Sequence, residues 1–227
     1  MKPWPNHLTV PASVADFLMA VGRPDPVFNL KLDHSALLVI DMQNDFILPG
    51  APLEGWDCMA IVPHISVLVQ FFRAHARPVI WTKHVHQLHD IGILAPMWPA
   101  TGPDSATKAL VKGTSGVEII ADLPTPRSDE LVIEKHRYSA FYQTDLELNL
   151  RTMGVKTLII TGVHTNICCE STARDGFMRD FQIMSVSDAQ TAITKELHEA
   201  ALISTLVAFG RVAETAQVIK ELDQITD

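Results

Sequence analysis

The sequence predicts an α/β fold: a three-layer α/β/α sandwich built on a mainly parallel, Rossmann-like sheet of about six strands. Two observations carry that prediction. Short apolar runs such as "ALLVID" (36–41) and "KTLIITGV" (156–163) recur along the chain without polar alternation. Such strands are covered on both faces, which is the habit of parallel sheets. Between them lie longer stretches with helical spacing of apolar residues, so strand and helix alternate and each crossover is right-handed.

Taken in order, residues 1–33 carry Pro3, Pro5, Pro11, Pro24 and Pro26. They read as an arm that packs on the domain, with one short helix near 13–21, and the domain itself runs over 34–227. The first strand is 36–41. The stretch 58–76 has Ile61, Ile65, Leu68 and Phe72 on one helical face. Strands follow at 78–84 and 130–135. A helix over 142–154 closes at Gly154, a residue free to adopt the left-handed conformation of a helix end. The fourth strand, 156–163, leads into a helix over 166–180, and the fifth strand is 182–189. A long amphipathic helix over 195–210 ends at Gly210. A short strand at 212–214 and a helix over 215–222 complete the pattern. The segment 87–129 is rich in glycine and proline, and an insertion of that length is a lid or a contact between subunits.

Composition excludes several function classes. Hydrophobic residues make up 47% of the 227 and charged residues 19%, enough to bury a core. The formal net charge is −8 with no cluster of Lys and Arg, so neither nucleic acid nor a membrane surface is an expected partner. No apolar run has the length of a membrane span, and the N-terminus lacks the apolar core of a secretory signal. A cytoplasmic location is the expectation. Three cysteines, two of them adjacent (Cys168 and Cys169), describe a thiol protein and not a disulfide scaffold.

In open parallel sheets ligands bind beyond the carboxyl ends of the strands. Strand one ends at Asp41, strand three at Lys135, and strand four runs into the loop before Cys168 and Cys169. An acid, an amine and a thiol thus converge on one sheet edge, a combination that suits nucleophilic catalysis by cysteine. The start of a helix and a nearby ammonium group both favour thiolate. Adjacent helical residues point in different directions, so one of the two cysteines faces the site, and spacing leaves open which.

The stretches "LLVIDMQNDF" (37–46), "VIEKHRYSAFYQTDLE" (132–147) and "GVHTNICCESTARDGF" (162–177) resemble, in that order, the isochorismatase-like cysteine hydrolases. This superfamily includes nicotinamidase, N-carbamoylsarcosine amidohydrolase, ureidoacrylate hydrolase and isochorismatase. The resemblance spans 34–215. It implies a catalytic triad of Asp41, Lys135 and Cys168, with Cys169 packing. It also implies a cis peptide between Val163 and His164, and an oxyanion site formed by the backbone N–H groups of His164 and Cys168. The implied reaction is cleavage of a C–N bond in a small amide, ureide or carbamoyl compound through a thioester. The implied assembly is a homo-oligomer, a dimer or tetramer. The alternatives are vinyl-ether hydrolysis of the isochorismatase kind and a binding member of the fold without activity. The implied strand order, 3-2-1-4-5-6, sets a test: Lys135 must span two strand spacings, about 10 Å, to reach Asp41.

"KHVHQLH" brings His84, His86 and His89 together, with His84 and His86 on one strand face. Imidazoles at such spacing suit a metal. His84 stands where nicotinamidases carry an aspartate, so no metal and no cofactor are assigned and the histidines are read as pocket lining. Arg137, Tyr138 and Phe141 follow Lys135 closely and are candidate substrate contacts. Trp81, Met97 and Trp98 are read as core, and the partner is a small molecule.

Overall fold

Leu37 and Val39 point to one side of the first strand and Ala36, Leu38 and Ile40 to the other, and all five are fully buried. A strand apolar on both faces needs a helical layer on each, and that requirement organises the fold. The computed structural model describes residues 4–5, 8–87 and 90–224. His89 lies outside the described residues.

The strands are β1 (Ser35–Ile40), β2 (Val79–His84), β3 (Leu131–Lys135), β4 (Thr157–Val163), β5 (Gln182–Thr191) and β6 (Arg211–Ala213). They form one sheet in the order β3-β2-β1-β4-β5-β6, parallel throughout, in agreement with the sequence expectation. The helices are α1 (Ala12–Ala20), α2 (Asn44–Ile47), α3 (Val62–Ala74), α4 (Leu94–Met97), α5 (Leu146–Thr152), α6 (Glu170–Phe177), α7 (Lys195–Ser204) and α8 (Thr215–Asp223). Ile65, Leu68, Val69 and Phe72 of α3 join Val218 and Leu222 of α8 over one face of the sheet. Leu146 and Leu150 of α5 and Ala173 of α6 cover the other. None of the helices among the described residues is long and apolar enough to cross a membrane.

Several expected elements are shorter or differently shaped. The helix expected over 142–154 begins only at Leu146. Before it, the Thr172 hydroxyl accepts from the Ala140 N–H at 3.0 Å and the Ser139 hydroxyl donates to Asp175 at 2.6 Å. Side-chain oxygens that satisfy backbone and turn groups in this way compete with helix formation. The helix expected over 166–180 opens with a π-helical turn, Thr165–Cys169, and that over 195–210 closes with another, Thr205–Phe209.

The N-terminal arm packs against α7, the turn that follows it, and β6. Leu8 and Leu18 cluster with Leu202, Leu206 and Val212. The Arg23 guanidinium donates to the carbonyls of Leu206, Val207 and Gly210, in and just after the second π-helical turn.

Where β4 passes β1, Gly162 has φ +107 and the register to β5 slips between Ile160 and Gly162. A Cβ at Gly162 would stand 2.0 Å from the Ile40 carbonyl oxygen. Backbone on both sides cannot yield, so Gly162→Ala is expected to cost more than about 4 kcal/mol. Loss of soluble protein, or a large drop in the denaturant midpoint, is the measured outcome. A variant of unchanged midpoint would contradict this packing.

Candidate active site

Asp41 follows β1 directly and takes φ +52, a left-handed conformation that aspartate tolerates better than most residues. The turn lifts its carboxylate off the sheet edge. Thr82 of β2 fixes it: the Thr82 hydroxyl donates to Asp41 Oδ1 at 2.6 Å, and the Thr82 carbonyl accepts from the Asp41 N–H at 3.2 Å. Gln43, also buried, locks the next turn by donating to the carbonyls of His84 and Val117, while its Oε1 accepts from the His84 N–H at 2.7 Å.

Lys135 ends β3, where it pairs in register with His84. Ile40, just before Asp41, pairs with Thr82 two residues back along β2, so the long lysine stem starts ahead of the carboxylate it must reach. It does reach it. Lys135 Nζ lies 2.7 Å from Asp41 Oδ2 and 3.4 Å from Cys168 Sγ, and donates to the Arg137 carbonyl at 3.2 Å. Lys135 and Asp41 are fully buried and Cys168 nearly so.

The thiol arrives from β4. The Val163–His164 peptide is cis, and Thr165–Cys169 makes the π-helical turn that precedes α6. The wider turn separates the two cysteines. Cys168 faces Lys135, whereas Cys169 Sγ lies 3.8 Å from the Thr161 carbonyl and packs among the buried residues under α6. The Thr165 hydroxyl and His198 Nδ1, 2.8 Å apart, tie this turn to α7.

The charge state of the thiol departs from the sequence expectation. A helix start and an adjacent ammonium argued for thiolate. Burial instead pushes the Cys168 thiol well above its ordinary value, and the attraction of Lys135 only partly offsets that. Cys168 is also inside a π-helical turn, two residues before α6 begins at Glu170. Lys135 is affected in the opposite sense. Burial alone would lower it, but Asp41 and Cys168 outweigh burial and hold its pKa above the usual lysine value. Burial thus favours the protonated thiol, which lies beside the Lys135–Asp41 ion pair.

A cavity of about 30 Å³ opens over Cys168. Its walls include Phe46, Leu53, Leu94, Trp98, Leu110 and Ile167, with His84, His86, Thr101, Tyr138 and His164 as polar members. Sequence reasoning missed most of the apolar wall, because those residues are scattered over five separate segments and only the fold assembles them. Trp98, expected in the core, is a wall residue whose Nε1 donates to the Tyr138 hydroxyl at 3.0 Å. Trp81 is core, and Met97 is exposed. The insertion 87–129 is thus, in part, a cover over the site. Phe141 is not at the cavity: it packs in the core against Phe181 at 5.8 Å between ring centroids. Arg137 also turns away, its Nη1 donating to the carbonyls of Asp90 at 2.8 Å and His136 at 2.6 Å.

Among the described residues, Asp41, His84 and Cys168 form the one trio with atoms close enough to share a metal, all within 4.8 Å of one another. The Lys135 ammonium already touches two of the three, so a cation of the protein's own holds that place. His86 offers one free ring nitrogen, its Nδ1 being 3.2 Å from Asp90. This donor set does not fit a resident metal ion.

The likeness to known proteins agrees with this geometry. The isochorismatase domain family matches residues 35–217. The chain is 34% identical over 214 residues to ureidoacrylate amidohydrolase RutB of Methylobacterium radiotolerans, covering 86% of this chain and 81% of that protein. It is 35% identical over 191 residues to nicotinamidase 3 of Arabidopsis thaliana, covering 83% and 88% respectively. A cysteine hydrolase from Pseudomonas syringae pv. phaseolicola 1448A has the same fold, with a TM-score of 0.80 at 30% identity over 87% of this chain and 96% of that one. With sequence likeness of this extent and a fold shared along most of its length, the chain belongs to the isochorismatase domain family.

Proposed function

We propose that this chain is a cysteine amidohydrolase that cleaves a C–N bond in a small amide, ureide or carbamoyl compound. One observation carries the reading: a thiol, a carboxylate and an ammonium group, buried together, with Lys135 Nζ 2.7 Å from Asp41 and 3.4 Å from Cys168. Relatives named as an amidohydrolase and a nicotinamidase support it.

Because burial favours the protonated thiol, attack and proton transfer proceed together. Asp41 takes the Cys168 proton as sulfur bonds to the substrate carbonyl carbon. The carbonyl oxygen becomes an oxyanion, held by the backbone N–H groups of His164 and Cys168; one such donor is worth about 3 kcal/mol. Collapse breaks the C–N bond, and the proton on Asp41 passes to the departing nitrogen, which leaves as ammonia or an amine. A thioester remains on Cys168. Water that loses a proton to Asp41 attacks it, and the acid product leaves as the proton returns to sulfur. Lys135 keeps a positive charge beside both groups throughout, which favours the ionised carboxylate and the developing thiolate.

Ammonia release across a panel of carboxamides, ureides and carbamoyl amino acids tests the reading. Turnover of at least one class, dependent on Cys168, is the expected result; silence across the whole panel would count against it. Thr82→Val removes the 2.6 Å hydrogen bond to Asp41 Oδ1 while keeping the side-chain shape. It is expected to lower kcat by roughly tenfold with little change in KM, since a misaimed proton acceptor affects the transition state and not ground-state binding.

A further inference from the structure

Among the described residues, the walls over Cys168 hold no cation free to meet an anion. Lys135 is committed to Asp41 and Cys168. Arg137 is not a wall residue, and its Nη1 donates to the carbonyls of Asp90 and His136. Lys83 pairs with Glu118 at 3.0 Å, and Lys112 with Glu134 at 2.7 Å. His84 and His86 line the cavity with ring centroids 4.7 Å apart. Burial lowers the pKa of both, His84 well below the ordinary imidazole value, so both rings are neutral at pH 7.

Three histidines of the wall, these two and His164, carry buried ring nitrogens that lack an internal partner, Nδ1 in the case of His164. Nε2 of His84 and Nε2 of His86 are buried and make no hydrogen bond among the described residues. A buried polar atom left unpaired costs about 1–3 kcal/mol, which a ligand that bonds to it recovers. A neutral imidazole nitrogen either donates to a carbonyl or accepts from an N–H, depending on tautomer, and an amide or ureide offers both. A carboxylate finds no such welcome. It would be stripped of water between Phe46, Leu94 and Leu110 with no counter-charge, and with the Asp41 carboxylate within the same 4.8 Å cluster as His84.

Resting on the hydrolase reading, we infer that the site takes uncharged amides and ureides, bound through His84 and His86, and rejects analogues that carry a carboxylate. His84 and His86 are then specificity-determining residues. At about 30 Å³ the cavity has room for one or two waters, so binding moves the Trp98 wall outward, breaking its 3.0 Å bond to Tyr138.

Pairs that exchange a methyl group for a carboxylate test the inference: butyramide against succinamate, propylurea against N-carbamoyl-β-alanine, and 4-methylbenzamide against 4-carbamoylbenzoate. Turnover by the wild-type protein gives kcat/KM for each, and calorimetry on Cys168→Ala gives Kd without chemistry. The neutral member is expected to win in each measurement by on the order of 100-fold, the cost of a buried charge without a partner. Equal or tighter binding of the anions would overturn the inference, as would a failure of every neutral member to bind. Anion binding that disappears in Arg137→Gln would show that Arg137 swings inward as an anchor, which also overturns it. If the neutral members bind Cys168→Ala selectively but none is hydrolysed by the wild-type protein, the selectivity stands and the hydrolase reading falls.

Discussion

Replacing Cys168 by alanine is expected to lower kcat/KM for ammonia release by about 10⁴-fold, while the melting temperature moves by only a few degrees. The size follows from the role. The sulfur forms the covalent bond that splits one difficult step into two, and no neighbouring group can replace it, since the Cys169 thiol is turned toward the Thr161 carbonyl. The small stability effect follows from what remains. Removing one buried sulfur costs on the order of 1 kcal/mol, and Lys135 keeps its ion pair with Asp41 and its bond to the Arg137 carbonyl. Activity retained within tenfold would eliminate the thiol as nucleophile. Retained vinyl-ether cleavage with lost amide cleavage would assign the fold's other chemistry to this chain.

Lys135→Met reverses the balance and is expected to be the most destabilising change at the site. Methionine matches the length of the lysine stem but removes the charge 2.7 Å from Asp41 Oδ2, and both side chains are fully buried. A carboxylate stranded in the interior without its partner costs about 3–5 kcal/mol. At roughly 2–4 °C per kcal/mol for a chain of this size, the melting temperature should fall by about 10 °C or more. Activity should be lost as well, because the developing thiolate loses its only adjacent positive charge among the described residues. Adding Asp41→Asn to Lys135→Met removes the stranded charge and should restore a large part of the lost stability, a non-additivity that thermal melts of the single and double variants will read. Additive losses would mean that the two side chains are not coupled.

Much of this site was legible in the chain before any coordinates. Asp41, Lys135 and Cys168 each sit at the end of a strand or in the turn beyond one, and strands apolar on both faces are easy to find by pattern. Arg137 and Phe141 show where that legibility stops. Both follow Lys135 within six residues, yet one is taken by backbone carbonyls and the other by the core. Direction of a side chain in an irregular segment depends on which distant group satisfies it, and the sequence does not say which group will be near. Trp98 illustrates the converse: its apolar bulk reads as core, and only the folding of the insertion over the sheet edge makes it a wall.

By itself the sequence determined the parallel sheet, its strand order through family resemblance, and the three reactive groups, because these depend on local patterning and on residue type. Tertiary structure alone decided that burial raises the Cys168 thiol despite Lys135, and that the cavity above it holds no free cation among the described residues. Those properties are set by burial and by long-range partners: desolvation outweighs a nearby ammonium group only once the chain has closed around the sulfur.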